Sequence, residues 1–469
     1  MKIIIIGAGS SGIATAISLI NEGFNPKDIT MLEKGNSINK RHCFVNESTP
    51  CKKCKICSIT HGCGGAGSFS DSKLNFDNTG RIRGDMAELM SQDEIQYYLE
   101  KTSNIYKQFG IDEFSSKVYG VDNTTEGLEI INMIHQNPKL DIGECATIHL
   151  GTENSRIIYN RMLSFLEDQG VEILTNAEVV DINAELKTVH YKYKAINEIK
   201  TYDKLVVAMG RSGNSFVKTI CEKNKIEMKS GKAEIGVRIE CPDEIMRRLN
   251  ENFYECKIYF KGSFGDNARM FCTNPSGFVT IESYNINDKK LYTANGHAYA
   301  NKKSTNTNFA ILVSRSFNGD MHDPLLDYVY PLVQSTNSLG KGSVILQSLK
   351  DIKLNRRSTE DRIASLDIAP TAKAYAGDLT SSMPYRTLTT ILEFIEELDT
   401  IVPGINGDTT LLYGLECKFT SNKVLINKHG LSSNKDIYFI GDGSGWTRGL
   451  TSAISHGILC AESIIKEIE

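Results

Sequence analysis

Five cysteines lie close together in an early part of the chain and could bind a metal or carry electrons. They include the run Cys-x-x-Cys-x-x-Cys and are Cys43, Cys51, Cys54, Cys57 and Cys63. This spacing is typical of thiolates that ligate an iron–sulfur cluster, and four thiolates also suit a structural zinc. Alternatively, a Cys-x-x-Cys pair exchanges electrons as a dithiol that neighbouring lysines activate. A loop whose cysteines have no special role is the remaining interpretation, and the spacing does not separate iron from zinc.

Three glycines and an acid near the start of the chain have the spacing of a dinucleotide site. Gly7, Gly9 and Gly12 follow the apolar run Lys2 to Ile6, and Glu33 ends a second apolar run. In this motif the first glycine permits a tight turn, the second admits a diphosphate, and the third lets helix and strand pack closely. The amino end of the helix adds partial positive charge, and the acid accepts hydrogen bonds from a ribose. An acid here disfavours a 2′-phosphate but does not separate NAD from FAD.

Two later segments favour FAD. Residues 170–210 predict a strand and a short β-meander, followed by an apolar run that ends at Gly210. Ile437–Asp442 predicts a strand that ends in Gly-Asp, and Gly449 to Ile465 predicts a helix. This order resembles FAD-binding domains of the glutathione-reductase type. The resemblance implies that Asp442 binds the ribityl chain and that the last helix points its amino end at the isoalloxazine, where a helix dipole favours the reduced flavin.

Six blocks are similar to an uncharacterised family of FAD-dependent dehydrogenases, in the expected order along nearly the whole chain. The blocks are Cys63–Leu74, His149–Glu153, Gly236–Glu240, Phe271–Val279, Gly414–Ser421 and Gly441–Ala453. The chain departs from the family at Asp442, where a glutamate is usual, at Trp446 to Gly449, and at Arg211 to Ser215. We therefore expect a substrate different from that of the commoner relatives.

The glycine motifs and the resemblance together imply a set of FAD-binding residues. They are Gly7, Gly9, Ser11, Gly12, Glu33, Lys34, Gly64, Gly65, Ala66, Gly67, Ser68, Val179, Met209, Gly210, Gly441, Asp442, Gly449, Leu450 and Thr451.

Six other residues are candidates for roles beside the flavin. Because the flavin supplies the hydride chemistry, the protein has to orient a substrate and manage one proton. Arg448 could hold a substrate carboxylate or add positive charge, and Trp446, the only tryptophan, could stack on the ring or line the pocket. The candidates for a general acid or base are His149, Arg238, Tyr284 and His297. For each of the six, the alternative is a purely structural residue.

The predicted fold class is α/β, with a discontinuous FAD-binding Rossmann domain and an inserted mixed-sheet α+β substrate or cap domain. The FAD domain takes residues 1–75, 140–232 and 405–469, and the cap takes 76–139 and 233–404, with a cysteine-rich loop at 43–63. Within the cap, Arg386–Leu398 has apolar residues at helical spacing, and Ser91-x-x-Glu94 is typical of a helix start.

The composition is that of a globular protein without a polyanionic partner. Lys plus Arg number 53 and Asp plus Glu number 57, which gives a net charge of -4. Nucleic-acid binders usually show a basic excess, so modification of RNA by a flavin enzyme is disfavoured. Met1–Ile20 imitates a secretory leader but lacks a cleavage site, and no other segment approaches the roughly 20 apolar residues of a membrane span. We predict a cytoplasmic protein.

The predicted function is an FAD-dependent oxidoreductase that moves a hydride to or from a small organic substrate held between the two domains. Reduction or formation of a C=C or C=N bond fits equally well. A second glycine motif for a nicotinamide domain is missing, so the electron partner is NAD(P)H that diffuses in, a ferredoxin, or the cysteine cluster. The alternative is an electron-transfer protein with flavin and an iron–sulfur cluster that serves a protein partner.

Overall fold

The structure is a computed structural model of the 469-residue chain. It describes residues 1–43, 54–69, 72–76, 85–114, 118–119, 124–143, 146–229, 231, 233–253, 256–286, 289–297, 302–315, 325–419 and 422–468. Among these, no helix combines the length and apolar character that crossing a membrane requires.

The helices of the described residues follow the chain in this order: α1 (Ser10–Asn21), α2 (Gln92–Gln108), α3 (Thr125–Gln136), α4 (Thr152–Gln169), α5 (Asn214–Lys223), α6 (Asp243–Asn252), α7 (Tyr330–Leu339), α8 (Leu349–Lys353), α9 (Glu360–Ala364), α10 (Tyr385–Asp399) and α11 (Leu450–Lys466).

The strands are β1 (Ile3–Ile6), β2 (Ile29–Glu33), β3 (Lys73–Phe76), β4 (Val118–Tyr119), β5 (Leu140–Ile142), β6 (Ala146–His149), β7 (Glu172–Thr175), β8 (Ala177–Asn183), β9 (Thr188–Tyr193), β10 (Ile196–Thr201), β11 (Lys204–Val207), β12 (Met228–Lys229), β13 (Ala233–Pro242), β14 (Ile258–Lys261), β15 (Asn267–Asn274), β16 (Phe278–Ile286), β17 (Lys289–His297), β18 (Asn306–Arg315), β19 (Ile345–Ser348), β20 (Tyr375–Ala376), β21 (Leu411–Phe419), β22 (Lys423–Val424) and β23 (Ile437–Phe439).

The chain divides into two compact units. Unit 1 contains Met1–Tyr119, Cys145–Lys229 and Ser421–Glu469, and unit 2 contains Gly120–Glu144 and Ser230–Thr420. Both units combine helices and sheets, so the predicted α/β class agrees with the structure.

Unit 1 is built on a parallel sheet with the strand order β23-β11-β1-β2-β7. All four residues of β1 are buried. Ile3 and Ile5 pack with α1, α4 and α11 on one face, while Ile4 and Ile6 pack with α5 and the meander strands β8 and β9 on the other. Burial on both faces explains the unbroken isoleucine run. The carboxyl ends of the parallel strands therefore meet along one edge.

Unit 2 is built on a mixed sheet with the order β20-β19-β21-β13-β18-β15-β14-β5. β19 and β20 are parallel, and the other neighbours are antiparallel. The alternate residues Ile235, Val237 and Ile239 of β13 share a core with Phe394 and Ile395 of α10. The predicted helix at Arg386–Leu398 is thus present, one residue longer at each end, with its apolar face buried.

Three boundaries differ from the predicted domains. α2 belongs to unit 1 and not to the cap, because it packs on α11: Thr102 Oγ1 lies 2.9 Å from Ser455 Oγ, and Tyr98 donates a hydrogen bond to Glu462. The structure confirms the helix start at Ser91. Conversely, β21 and β5 belong to unit 2, because β21 pairs with β13 and β19, and β5 pairs with β14.

Candidate functional site

The first glycine motif forms the turn between β1 and α1 in unit 1. Gly7 has φ +104°, and a Cβ there would lie 2.7 Å from the carbonyl oxygen of Ala208. A Cβ on Gly12 would lie 2.1 Å from the carbonyl oxygen of Gly7. Both positions therefore require glycine. A Cβ on Gly9 would meet only the Cα of Gly65, at 3.7 Å, so this glycine leaves open space beside the turn.

The second glycine segment, Gly64 to Ser68, lies against this turn. The Gly64 N–H donates to the carbonyl oxygen of Ala8 over 2.8 Å, and a Cβ on Gly65 would lie 3.1 Å from the Cα of Gly9. A Cβ on Gly67 would lie 2.3 Å from the side chain of Leu450, at the amino end of α11. Two segments predicted to bind the same ligand are thus neighbours, and the start of the last helix adjoins them.

The segments after β11 and β23 complete this group. The Gly443 N–H donates to the carbonyl oxygen of Met209, and a Cβ on Gly441 would lie 2.5 Å from Ser11 Oγ. Gly441 and Gly449 have φ of +71° and +115°. Of the predicted FAD-binding residues, those in these segments converge at the carboxyl edge of the parallel sheet. Thr451, the buried second residue of α11, donates to the carbonyl oxygen of Asn75.

Asp442 lies at this edge with positive charge around it. Thr447 donates to its Oδ1 over 2.9 Å, and the Nε of the exposed Arg211 lies 3.9 Å from its Oδ2. Burial raises the pKa of Asp442, while Arg211, the Thr447 hydroxyl, the Gly449 N–H and Arg448 act in the opposite direction without reversing the shift. Arg448, a predicted active-site residue, is therefore close enough to affect this carboxyl electrostatically.

Glu33, the predicted ribose acid, ends β2 with its carboxylate buried. Its Oε2 accepts from the Ala8 N–H over 3.0 Å, and its Oε1 accepts from the N–H groups of Gly35 and Gly62 over 2.8 and 2.9 Å. The acid thus ties the glycine turn to the chain that leads into the second glycine segment. Lys34, which follows it, is half-buried.

Sequence reasoning missed Arg41, which organises the second glycine segment. Its guanidinium is almost fully buried and donates to main-chain carbonyls and one hydroxyl, those of Ser58, Ile59, Cys63, Gly65 and Ser68. It also lies 4.1 Å from the centre of the Phe69 ring, and Arg156 lies 4.6 Å from the same ring. Burial lowers the pKa of Arg41 to about 10, so it stays charged at neutral pH.

Two predicted residues of unit 1 lie in packed surroundings. Trp446 is buried, donates its indole N–H to the carbonyl oxygen of Val424 over 2.7 Å, and has Lys229 and Lys423 over its ring. These contacts describe a structural side chain and not one that faces open space. Val179 lies in the core that the meander shares with β1. Ala66, in contrast, is exposed.

The proposed acids and bases divide between the units. His149 ends β6 opposite Lys73 in unit 1, and Tyr284 pairs with Leu291 in unit 2, but both side chains lie outside the described residues. His297, in unit 2, is exposed at the end of β17.

Arg238 is fully buried in unit 2. It donates to both oxygens of Glu416 over 2.7 and 2.8 Å, to Asn295 and to the carbonyl oxygen of Cys272. Arg238 therefore forms a buried structural ion pair with Glu416.

The cysteines do not form a ligand set in the part of the chain that the structure describes. No group of three or more His, Cys, Asp or Glu suited to a metal occurs there. Cys43 and Cys57 are half-buried, Cys54 is exposed and Cys63 is buried, while Cys51 lies outside the described residues. Burial and Glu33 raise the pKa of Cys63 to about 12, which disfavours the thiolate that a metal needs. The described cysteines do not support the predicted metal site.

No established protein-family profile matches the sequence. An uncharacterised protein of Clostridium beijerinckii is 23% identical over 491 residues, which cover 99% of this chain and 81% of that protein. L-proline dehydrogenase from P. horikoshii is a structural neighbour with a TM-score of 0.36 and 12% identity, covering 99% of this chain and 93% of the other. Glycerol-3-phosphate dehydrogenase from Bacillus halodurans, solved with FAD, has a TM-score of 0.36 and 9% identity, covering 100% and 65%. Identities and TM-scores this low do not show that this chain has the activity of either enzyme. The function therefore has to be argued from the chain's own residues.

Proposed function

We propose that this chain is an FAD-dependent oxidoreductase that transfers a hydride between the flavin and a small organic substrate. The observation that carries the proposal is the glycine-lined edge of unit 1. There, the turn after β1, the segment at Gly64 to Ser68, the end of β11 and the Gly441 turn come together. Side chains are absent from the parts of this edge where the main chains lie closest.

The shape and charge of the edge fit a diphosphate. Gly9 and Gly65 face each other, and the amino end of α1 follows at once, with the carbonyl oxygen of Gly9 accepting the Ile13 N–H as the helix begins. Helix amino ends carry about half a positive charge and free N–H groups, which bind phosphate oxygens. An extended dinucleotide would then have its adenosine ribose at Glu33, at the end of the neighbouring strand.

The flavin end of the cofactor would lie toward the last helix. Asp442 and the turn Gly441 to Gly449 adjoin the end of β11, and α11 begins beside Gly67. When bound, FAD supplies a hydride donor or acceptor at its N5 atom. The amino end of α11 would stabilise negative charge on the reduced ring, and Arg448 would hold an acidic group of a substrate. The bond that is reduced or formed would be C=C or C=N. Reduction would take its electrons from diffusible NAD(P)H, and formation of the bond would pass them through the flavin to an external electron acceptor.

The electron-transfer alternative depends on an iron–sulfur cluster, and the described cysteines do not gather into its ligand set. Within the described part of the chain no contact supports this alternative, and we retain the small-substrate oxidoreductase.

The test is FAD binding by the purified protein and two glycine variants. Gly9→Ala should fold normally, because its Cβ meets only Gly65 at 3.7 Å, but should weaken FAD binding at least about tenfold because the methyl group occupies the diphosphate's space. Gly23→Ala is the matched control. It lies after α1 at φ +84° with nothing within 4 Å, so it should cost about 1 kcal/mol of stability and leave FAD affinity unchanged.

Flavin absorbance, FAD titration and thermal unfolding measure both effects. A wild-type protein that stays colourless after incubation with FAD, or a Gly9→Ala variant with unaltered affinity, would overturn the proposal. Anaerobic bleaching of the flavin by NADH or NADPH would identify the donor.

A further inference from the structure

Three hydroxyl groups form a chain that leads from the interior of unit 1 to the glycine edge. The Ser10 Oγ lies 2.6 Å from the Tyr159 hydroxyl, which lies 3.3 Å from the Tyr106 hydroxyl. Both tyrosines are fully buried, whereas Ser10, the first residue of α1, is half-buried. A Cβ on Gly67 would lie 3.5 Å from the Ser10 Oγ, so this end of the chain adjoins the second glycine segment.

The number of protons on the three hydroxyl groups fixes the direction in which they donate hydrogen bonds. Each hydroxyl has one proton, and within the described residues the Tyr106 hydroxyl has Tyr159 as its hydrogen-bond partner. If Ser10 donated to Tyr159 and Tyr159 to Tyr106, the proton of Tyr106 would be buried without an acceptor, which is unfavourable. In the opposite direction Tyr106 donates to Tyr159, and Tyr159 donates to Ser10. The proton of the Ser10 hydroxyl is then available to an acceptor other than these three hydroxyl groups.

We propose that Tyr159 is a positioning residue that makes the Ser10 hydroxyl a dedicated donor to an oxygen of the dinucleotide's diphosphate. This role rests on the proposed FAD-binding function and names the residue that binds the anionic group. The sequence pointed to Ser11 instead. Ser11 is buried, and its Oγ lies 2.5 Å from the Cβ position of Gly441, so it packs between the two turns.

The direction of donation among the three hydroxyl groups does not change near neutral pH. Burial raises the pKa of both Tyr106 and Tyr159, so both hydroxyls keep their protons. A serine that already accepts a hydrogen bond is polarised toward donation, and donors to charged oxygens form the stronger hydrogen bonds.

A double-mutant cycle on FAD affinity tests the coupling of the two residues. Ser10→Ala should raise the Kd for FAD about tenfold, since a hydrogen bond to a charged group is lost. Tyr159→Phe should raise it about threefold to tenfold, because Ser10 is no longer held as a donor. The double variant should bind FAD no more weakly than Ser10→Ala, because Tyr159 acts through Ser10. Tyr438→Phe is the matched control, since this buried tyrosine of β23 donates to Glu467 instead.

Titration with ADP and adenosine provides a readout that a merely structural role would not change. Ser10→Ala should weaken ADP binding about as much as FAD binding and leave adenosine binding unchanged, and this comparison holds even where Tyr159→Phe folds poorly. Effects that multiply in the double variant, or equal losses for ADP and adenosine, would overturn the role of Tyr159 while wild-type FAD binding upholds the proposed function. A wild-type protein that binds no FAD would overturn both.

Discussion

Arg41 shows how much one buried side chain can determine at the residue scale. Its donors satisfy carbonyls on both sides of Cys63, and so fix the direction in which the second glycine segment leaves the loop. Because these partners are carbonyls of neighbouring loop residues, and not acids, nothing in the pattern of charged residues indicates the role. The segment faces Gly9, so the order that Arg41 imposes is also order at the candidate cofactor site.

We predict that Arg41→Met lowers the free energy of unfolding by about 3 kcal/mol, because several buried carbonyls lose their donors at once. Arg41→Lys should lose less, since a lysine keeps the charge but offers fewer and differently directed donors. Urea denaturation of both variants measures this order. Equal losses would indicate that charge and not hydrogen-bond geometry is what the loop requires.

Cys57 and Cys63 should differ sharply in reactivity. Burial acts to raise the pKa of Cys57, but the N–H groups of Thr60 and Ile59, the Thr60 hydroxyl and Arg41 outweigh it, so the net shift is downward. The pKa of Cys63 is raised to about 12. Because the thiolate is the reactive form, iodoacetamide should modify Cys57 at a pH below that of an ordinary cysteine and leave Cys63 intact up to pH 9.

Peptide mass spectrometry across a pH series measures this difference, and Cys57→Ser provides the control for assignment. Modification of Cys63 at the same rate as Cys57 would contradict the burial on which the prediction depends.

At the scale of elements, α11 connects the candidate site to the core of unit 1. Its first residue adjoins Gly67, and in its middle a Cβ on Gly457 would lie 2.4 Å from the carbonyl oxygen of Ser11, so α1 and α11 cross in close contact. Thr15 strengthens the crossing by donating to the carbonyl oxygen of Gly457. The two helices whose amino ends serve the proposed cofactor are therefore held as a pair.

α11 also contains a buried histidine that should make unit 1 sensitive to acid. Both ring nitrogens of His456 are buried and lack a hydrogen-bond partner among the described residues, and burial lowers its pKa to about 3. The unfolded chain takes up a proton below about pH 6.5, whereas the folded chain does not. The stability is thus complete above that pH and falls as the pH decreases, by up to about 1.4 kcal/mol per pH unit.

We predict that His456→Leu loses about 2 kcal/mol less stability than the wild type between pH 7 and 4.5. Urea unfolding at several pH values measures the difference. Parallel pH profiles of the two proteins would show that the imidazole is charged or hydrogen-bonded in the folded state.

At the scale of the whole molecule, the features that depend on local sequence patterns were predicted correctly, whereas the strand pairings between distant segments were not. The turn Gly7 to Gly12 and the acid at Glu33 were correctly placed, because strand, turn and helix signals lie within one short segment. β21 was assigned to the wrong domain because it lies next to the last FAD-binding block in sequence, whereas its partners β13 and β19 lie far from it in sequence. The burial of Trp446 likewise depends on Lys229 and Lys423, which no local pattern associates with it.

The ion pair of unit 2 provides a test of whether the stability of unit 2 and the FAD affinity of unit 1 are independent. Glu416→Gln should lower the unfolding free energy by about 3 kcal/mol, because Arg238 is left buried without a counter-charge. Arg238→Met combined with Glu416→Leu should recover much of the loss. FAD affinity, which we attribute to residues of unit 1, should be unchanged in all folded variants.

Thermal unfolding and FAD titration of the three proteins check both expectations. Loss of FAD affinity in the stable double variant would return Arg238 to the binding or catalytic residues.

The glycine edge combines the first glycine turn, at Gly7, with α11, a helix that is translated much later. At roughly 5–20 residues per second, a ribosome would need about 20–90 seconds after the first turn to reach Gly457. Until then α1 lacks its close contact with α11, and the edge lacks the amino end of that helix. Binding of the proposed cofactor would therefore follow translation of α11, so a chain that stalls before this helix should be cleared by proteases whatever the cellular supply of FAD.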